Sequence, residues 1–346
     1  MNSLRVLQIG MGPHGRGWAK QVIPEIKQVD LVGYVDSDPN ALDALRELTK
    51  VPAEQCFESM KEAIAATQPQ AALITTALPS HVAVTKAALD AGLHVLIEKP
   101  FAPTLEAAKE LVDMAADRRL VLMVSQNYRF FPAPRALASL VQESKLGKLH
   151  EVCIDFRRYS PGQGRHSIEE QPLLVDMSIH HFDLLRLILN RQPERIYCEA
   201  WNPEWATFGG PSVAVASIAF EGGTVVSYRG SWVTAGPVTP WAGEWRMEFE
   251  HGEVFWTSRE DDGMLRDRVV IRPRNGKPRS ATMPDVRWTG PAGTLTEFAN
   301  AIETGREPET SGRDNLGTIA LMAAAVESAT RRELVAISRS GKALAI

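Results

Sequence analysis

Leu4-Arg5-Val6-Leu7-Gln8-Ile9-Gly10-Met11-Gly12-Pro13-His14-Gly15 is the stretch from which the fold can be read. Leu4–Ile9 is a short apolar run that predicts a strand, and the residues from Gly15 to Lys27 have helical periodicity. Between them stands Gly-x-Gly-x-x-Gly. The first glycine permits a tight turn, the second lets backbone approach a pyrophosphate, and the third allows close helix–strand packing with the anion on the helix N-terminus. A glycine-bearing turn alone is weak, so context decides. A second predicted strand, Leu31–Val35, is followed by Asp36, roughly twenty residues past the last glycine, where a ribose-binding carboxylate belongs. Gly10, Gly12, Pro13, His14, Gly15 and Asp36 are therefore candidate dinucleotide contacts. A carboxylate at Asp36 accepts from ribose hydroxyls and repels a 2′-phosphate, and no arginine follows it. NAD is expected over NADP.

The same strand–turn–helix rhythm continues outward through Pro39–Leu48, Ala71–Thr75, His81–Ala91, Leu93–Ile97, Leu105–Asp117 and Leu120–Ser125. Alternation of this kind predicts a parallel sheet covered on both faces, a doubly wound Rossmann domain over residues 1–125. Beyond Gln126 the rhythm changes. Val213–Phe220 and Thr224–Trp232 flank Glu221-Gly222-Gly223, and Trp245–Glu250 and Glu253–Thr257 flank His251-Gly252. These hairpin signals predict a mostly antiparallel open sheet in an α+β domain over 126–346, with helices at Asp176–Leu189 and about Arg313–Arg331. The last helix is expected to pack back on the first domain.

Composition fits two soluble domains: 346 residues, 44% apolar, 23% charged, net charge −4 with no dense basic block. Nucleic acid and membrane are not expected partners. Cys56, Cys153 and Cys198 form neither a disulfide framework nor a metal pair, and the apolar run Val6–Ile9 is too short for a signal-peptide core. A cytoplasmic setting and no metal are expected.

Two further clusters carry candidate chemistry. Leu93-His94-Val95-Leu96-Ile97-Glu98-Lys99-Pro100 ends a strand where ligands of open α/β sheets bind, so Lys99 should face the crevice and donate to a substrate oxygen. A solvated strand-end lysine is equally consistent with spacing. Asp176, His180 and Asp183 fall at i, i+4 and i+7 of a predicted helix, on one face. His180 is suited to move a hydroxyl proton and Asp176 to orient substrate or ring, while a capping Asp and a satisfied helix histidine are the plain alternative. His180 and His181, adjacent on a helix, cannot converge on one metal ion.

Taken in order, these residues resemble the glucose–fructose oxidoreductase / inositol dehydrogenase (Gfo/Idh/MocA) family. The likeness takes in Thr75-Thr76-Ala77-Leu78-Pro79-Ser80-His81, the segment from Ala91 to Pro100, Asn127-Tyr128-Arg129-Phe130, the Asp176–His180 segment and Thr310-Ser311-Gly312-Arg313-Asp314. It implies a catalytic set of Lys99, Asp176 and His180. Thr76 and His81 would line the nicotinamide and its ribose, together with Glu98, and Arg129 would lie near substrate. It further implies NAD-dependent oxidation or reduction of a CH–OH group in a sugar, cyclitol or related polyol, and a homodimer or homotetramer formed through the C-terminal sheet. An NAD-using glycosidase and a non-catalytic dinucleotide-binding regulator stay open as alternatives. Thr76-Ala77-Leu78 departs from the family's usual Thr-Pro-Asn, and Glu169-Glu170-Gln171-Pro172 replaces a glycine run. The crowded stretch Arg157, Arg158, Tyr159, Arg165 and His166 could grip an anionic or polyhydroxyl ligand or be a solvated face. Arg157, Tyr159 and His181 complete the expected substrate contacts. Seven of eight tryptophans follow residue 200, for sugar stacking or for a sheet core.

Overall fold

Short, mainly apolar runs become strands because both their faces are covered. β1 (Leu4–Ile9), β2 (Val29–Val35), β3 (Cys56–Phe57), β4 (Ala71–Ile74), β5 (His94–Glu98) and β6 (Leu122–Ser125) form one all-parallel sheet in the order β3-β2-β1-β4-β5-β6. The computed structural model that shows this describes residues 3–160, 162, 170–260 and 267–337. By compactness the chain forms two units. One runs to Asn127 and takes in Arg287–Leu316, and the other holds Tyr128–Val286 and the chain from Gly317 onward.

In the first unit, helices α1 (Pro13–Gly17), α2 (Pro39–Thr49), α3 (Met60–Thr67), α4 (Leu78–Asp90) and α5 (Leu105–Asp117) connect the strands. Sequence punctuation sets their ends. Asp38 caps α2 by accepting from the Asn40 N–H, ahead of Pro39, and Thr104 caps α5 by accepting from Ala107. The expected single helix over 15–27 is interrupted: α1 gives way to a π-helical turn at Trp18–Val22 and a 3₁₀ turn at Ile23–Glu25. β3 and α3 are too short and weakly patterned to have been read from sequence.

The second unit contains α6 (Pro132–Glu143), β7 (Leu149–Arg157), α7 (Pro172–Asp176) and α8 (Ser178–Leu189). There follow β8 (Pro193–Trp201), β9 (Val213–Phe220), β10 (Val225–Ser231), β11 (Glu244–Phe249), β12 (Gly252–Thr257), β13 (Arg268–Pro273) and β14 (Arg279–Ser280). With β15 (Val335–Ala336) they make a nine-stranded sheet in the order β14-β13-β12-β11-β7-β10-β9-β8-β15. Every pairing is antiparallel except β7 with β10, and both hairpins form where expected. α9 (Gly290–Thr304) belongs to the first unit, and α10 (Gly312–Arg331) begins there and continues in the second. One face of the nine-stranded sheet carries α7 and α8 over an aromatic core of Phe156, Tyr228, Trp232, Trp245 and Trp256. Those tryptophans fill the core, whereas Trp201 and Trp205 are exposed.

The helix expected over 176–189 is broken. α7 ends at Asp176, Met177 adopts φ −110° and ψ −48°, and α8 restarts at Ser178. Asp176, His180 and Asp183 therefore do not lie on one uninterrupted helix face.

Candidate active site

The glycine loop is held from every side. Gly10 has φ +100°, and a Cβ there would meet the Thr76 backbone at 2.6 Å, so only glycine fits. At Gly15 a Cβ would sit 1.9 Å from the Gly10 carbonyl oxygen. Gly12 differs: nothing lies within 4 Å of the position its Cβ would take. Two of the glycines are thus required by packing, and the middle one faces open space. Thr75 Oγ1 donates to Gly10 O (2.7 Å), Gln8 Nε2 to Gly15 O (2.8 Å) and Arg16 Nη1 to Met11 O (2.7 Å). Asp36 accepts from the N–H of Met11 (2.6 Å) on one oxygen and of Asp38 (2.9 Å) on the other. Each carboxylate oxygen keeps further lone-pair capacity for another donor.

At the end of β5, Glu98 is buried. Trp18 Nε1 donates to its Oε1 at 2.9 Å, and His14 Nε2 lies 2.9 Å from the same oxygen. Burial alone would raise the Glu98 carboxyl; His14, Lys99 and the Trp18 N–H together outweigh it and hold the group below its ordinary value. The π-helical turn delivers the Trp18 indole to this pairing. Glu98 thus anchors the first helix to the strand end that presents half-buried Lys99, and His14 shares in that anchorage with an otherwise exposed side chain.

His81 is held between two loops. It is 2% exposed, with Nδ1 2.8 Å from Pro100 O and Nε2 2.9 Å from Thr76 O, bracing the two loops that follow β4 and β5. Burial lowers its pKa while the two carbonyls oppose that shift. Thr76 itself keeps a buried hydroxyl with no hydrogen-bond partner in the protein. An open glycine side, an acceptor at Asp36 and an orphaned hydroxyl at Thr76 fit a bound dinucleotide.

In the second unit His180 sits in the first turn of α8, 5% exposed, with the half-buried Asp176 at the end of the preceding helix. Its ring is stacked on Tyr128, centroids 4.0 Å apart and planes at 9°. Burial pushes the Tyr128 hydroxyl up to about 12; Arg259 and Arg158 pull it down and Asp176 pushes it further up. Arg259 lies over the same ring at 3.9 Å, and Arg158 over Trp241 at 4.3 Å.

Four residues expected to contact substrate are placed as follows. Arg129 is buried in a two-pronged ion pair with Asp183, Nε and Nη2 each 2.6 Å from a carboxylate oxygen, with Thr318 Oγ1 donating to Asp183 at 3.0 Å. The pair braces α8. His181 is wholly buried: Nδ1 is 3.2 Å from the Tyr228 hydroxyl and Nε2 3.4 Å from Trp241 O, and burial drives its pKa down to about 4. One residue along a helix rotates a side chain by about 100°, which takes His181 into the sheet core. Arg157 and Tyr159 alternate with Phe156 and Arg158, so they stand on the face opposite α8. Arg157 pairs there with Asp155 and Glu244, and Tyr159 is 68% exposed. Arg158, not Arg157, reaches the Tyr128 cluster, and alternation from Val152, Ile154 and Phe156 was the signal for it. Arg165, His166 and Glu169 lie outside the described residues.

Comparison with known proteins agrees with this architecture. Residues 4–126 match the model described as an oxidoreductase family with an NAD-binding Rossmann fold, and residues 135–253 match the GFO/IDH/MocA C-terminal domain. A protein named y4oX from Sinorhizobium fredii is 30% identical over 94% of this chain and 93% of its own length. Inositol 2-dehydrogenase of Rhizobium meliloti is 25% identical over 95% and 98%. Among solved structures, an oxidoreductase from Agrobacterium radiobacter, in complex with NAD+, L-tartaric acid and magnesium, superposes with a TM-score of 0.84 at 21% identity, covering 97% of this chain and 98% of that one.

Proposed function

The chain belongs to the GFO/IDH/MocA family of NAD-binding oxidoreductases, and from that premise we propose that it interconverts a secondary alcohol and its carbonyl in a sugar, cyclitol or related polyol, using NAD(H) in preference to NADP(H). The observation that carries the reading is the glycine loop, open at Gly12, with acceptor capacity on Asp36 and an unpartnered buried hydroxyl on Thr76. Asp36 would accept from the ribose hydroxyls, Gly12 would give the pyrophosphate access to backbone, and Thr76 would donate to the cofactor. His14, Glu98 and His81 hold that frame.

The bound nicotinamide supplies the acceptor or donor of the carbon-bound hydrogen. Lys99 donates to the substrate oxygen and stabilises its developing negative charge, and Asp176 orients the neighbouring hydroxyls. His180, its plane fixed by Tyr128, takes the hydroxyl proton in oxidation and returns it in reduction. The name of the inositol 2-dehydrogenase relative supports a polyol over an aliphatic alcohol. Exposed Tyr197, Trp201, Val215 and Val225 on the sheet face away from α8 support association of copies through that face. No helix among the described residues is long and apolar enough to cross a membrane.

Single-turnover mixing with NAD and a panel of sugars, inositols and aldonic acids tests the proposal. NADH should form with at least one member, and NADPH should form far more slowly when NADP replaces NAD. Release of an aglycone from glycosides with no NADH accumulating would make the chain a glycosidase instead.

A further inference from the structure

We infer that Arg259 is a positioning residue that fixes the plane and the proton affinity of His180, acting through the ring of Tyr128. The inference rests on His180 being the proton-transfer group proposed above, and it extends that reading to a residue no sequence motif singles out.

Geometry carries it. The Tyr128 ring has the His180 imidazole at 4.0 Å, nearly parallel to it, and the Arg259 guanidinium carbon at 3.9 Å from its centre. Two planar groups that close to one ring would overlap if they shared a face, so Tyr128 is sandwiched between them. A cation on one face of the ring draws its electron density and orders it, and the opposite face holds the imidazole.

Arg259 is also built into place. Its φ of +67° is left-handed, a conformation that a non-glycine residue keeps only when its surroundings enforce it. The Trp241 N–H donates to its carbonyl at 2.9 Å, and its backbone is hydrogen-bonded to the Asp267 carboxyl. Asp267 in turn accepts from Ala133 N and Ser258 Oγ, each at 2.6 Å. Two groups, the Trp241 N–H and the Asp267 carboxyl, thus fix the backbone from which the guanidinium reaches the Tyr128 ring.

The charges around His180 give the sign. Asp176, at the end of α7, favours the imidazolium, and the Arg129–Asp183 ion pair is self-neutralised. His181 points into the sheet core, and Tyr128 stays protonated. Arg158, at the end of β7, adds positive charge near the Tyr128 hydroxyl. Arg259, which has the Asp267 carboxyl beside it, therefore opposes Asp176. Across roughly 8 Å at an effective dielectric of about 20, one charge changes a proton affinity about thirtyfold, and the partial exposure of Arg259 together with the neighbouring Asp267 carboxyl reduces this to about tenfold. Arg259 thus works against protonation of the imidazole.

The test is a nuclear magnetic resonance titration of the full chain with ¹³C-labelled histidine, the His180 signal being assigned by its loss in His180→Asn. Arg259→Met, and the milder Arg259→Gln should the first fold poorly, should raise the His180 midpoint by about 1 pH unit. Arg259→Lys, which keeps the charge, and Tyr128→Phe, which keeps the stack, should leave it nearly in place. An unmoved midpoint in both neutral variants, or an equal rise in Arg259→Lys, overturns the inference. The acid limb of kcat/KM is read in the same variants. A midpoint that moves while that limb stays fixed leaves the Arg259 inference intact and removes His180 as the base.

Discussion

Replacing Arg129 by methionine separates two roles for this residue. As a substrate contact it would have an exposed guanidinium, and its loss would raise KM with little effect on stability. In the structure it is 5% exposed and Asp183 1%, joined by two 2.6 Å contacts, with Thr318 as the further donor to the carboxylate. Removing one member of a buried pair leaves the other charge uncompensated, which costs about 3–5 kcal/mol. Arg129→Met and Asp183→Asn should each lose about that much, and Arg129→Met/Asp183→Leu should recover most of it, because no lone charge is left buried. Urea unfolding followed by tryptophan fluorescence is the appropriate assay. Six of the eight tryptophans belong to the second unit, so the signal reports mainly the region containing the pair. A loss below about 1 kcal/mol in Arg129→Met, together with a raised KM and an unchanged kcat, would refute the brace and restore a ligand contact.

Stability should also fall with acid through His181. Its folded pKa is about 4 against an ordinary 6.5, so below the higher value the unfolded chain binds a proton that the native chain refuses. Stability is then lost as pH drops from about 6.5 towards 4, by about 3 kcal/mol for this residue. His81 and His94, also lowered, add in the same direction. Urea titrations at stepped pH should show the slope, and His181→Gln should flatten it; an unchanged slope would assign the acid sensitivity elsewhere. Gly12→Ala should fold normally, since its added methyl meets nothing, yet weaken NAD binding about tenfold or more by calorimetry. Gly15→Ala, pressed against the Gly10 carbonyl, should fail to fold stably, and an NAD affinity unchanged in Gly12→Ala would place the pyrophosphate elsewhere.

The doubly wound sheet was legible because its information is local: an apolar run, a glycine turn and a carboxylate at fixed spacing. α5 came out with the same ends, Leu105–Asp117, since Thr104 caps it and its periodicity is clear. The two hairpins followed from glycines at their turns. What escaped was decided by tertiary contacts. The break at Met177 carries no proline or glycine to announce it, and α8 is buried on nearly every side, so its pattern did not reveal which histidine faces outward. Arg129 reads equally well as ligand contact or ion-pair member until Asp183, 54 residues away, is placed beside it. Arg158 could have been preferred to Arg157 by counting twos along β7. Arg259 could not: its importance comes from Asp267, Trp241 and Tyr128, none of which is its sequence neighbour within a shared motif.

The most direct measurement is the rate of NADH formation in a single turnover by His180→Ala, with substrate and NAD saturating. The rate should be about 10² to 10⁴ lower than the native enzyme's, with NAD affinity unchanged. A His180→Ala enzyme that reduces NAD at close to the native rate would contradict this expectation.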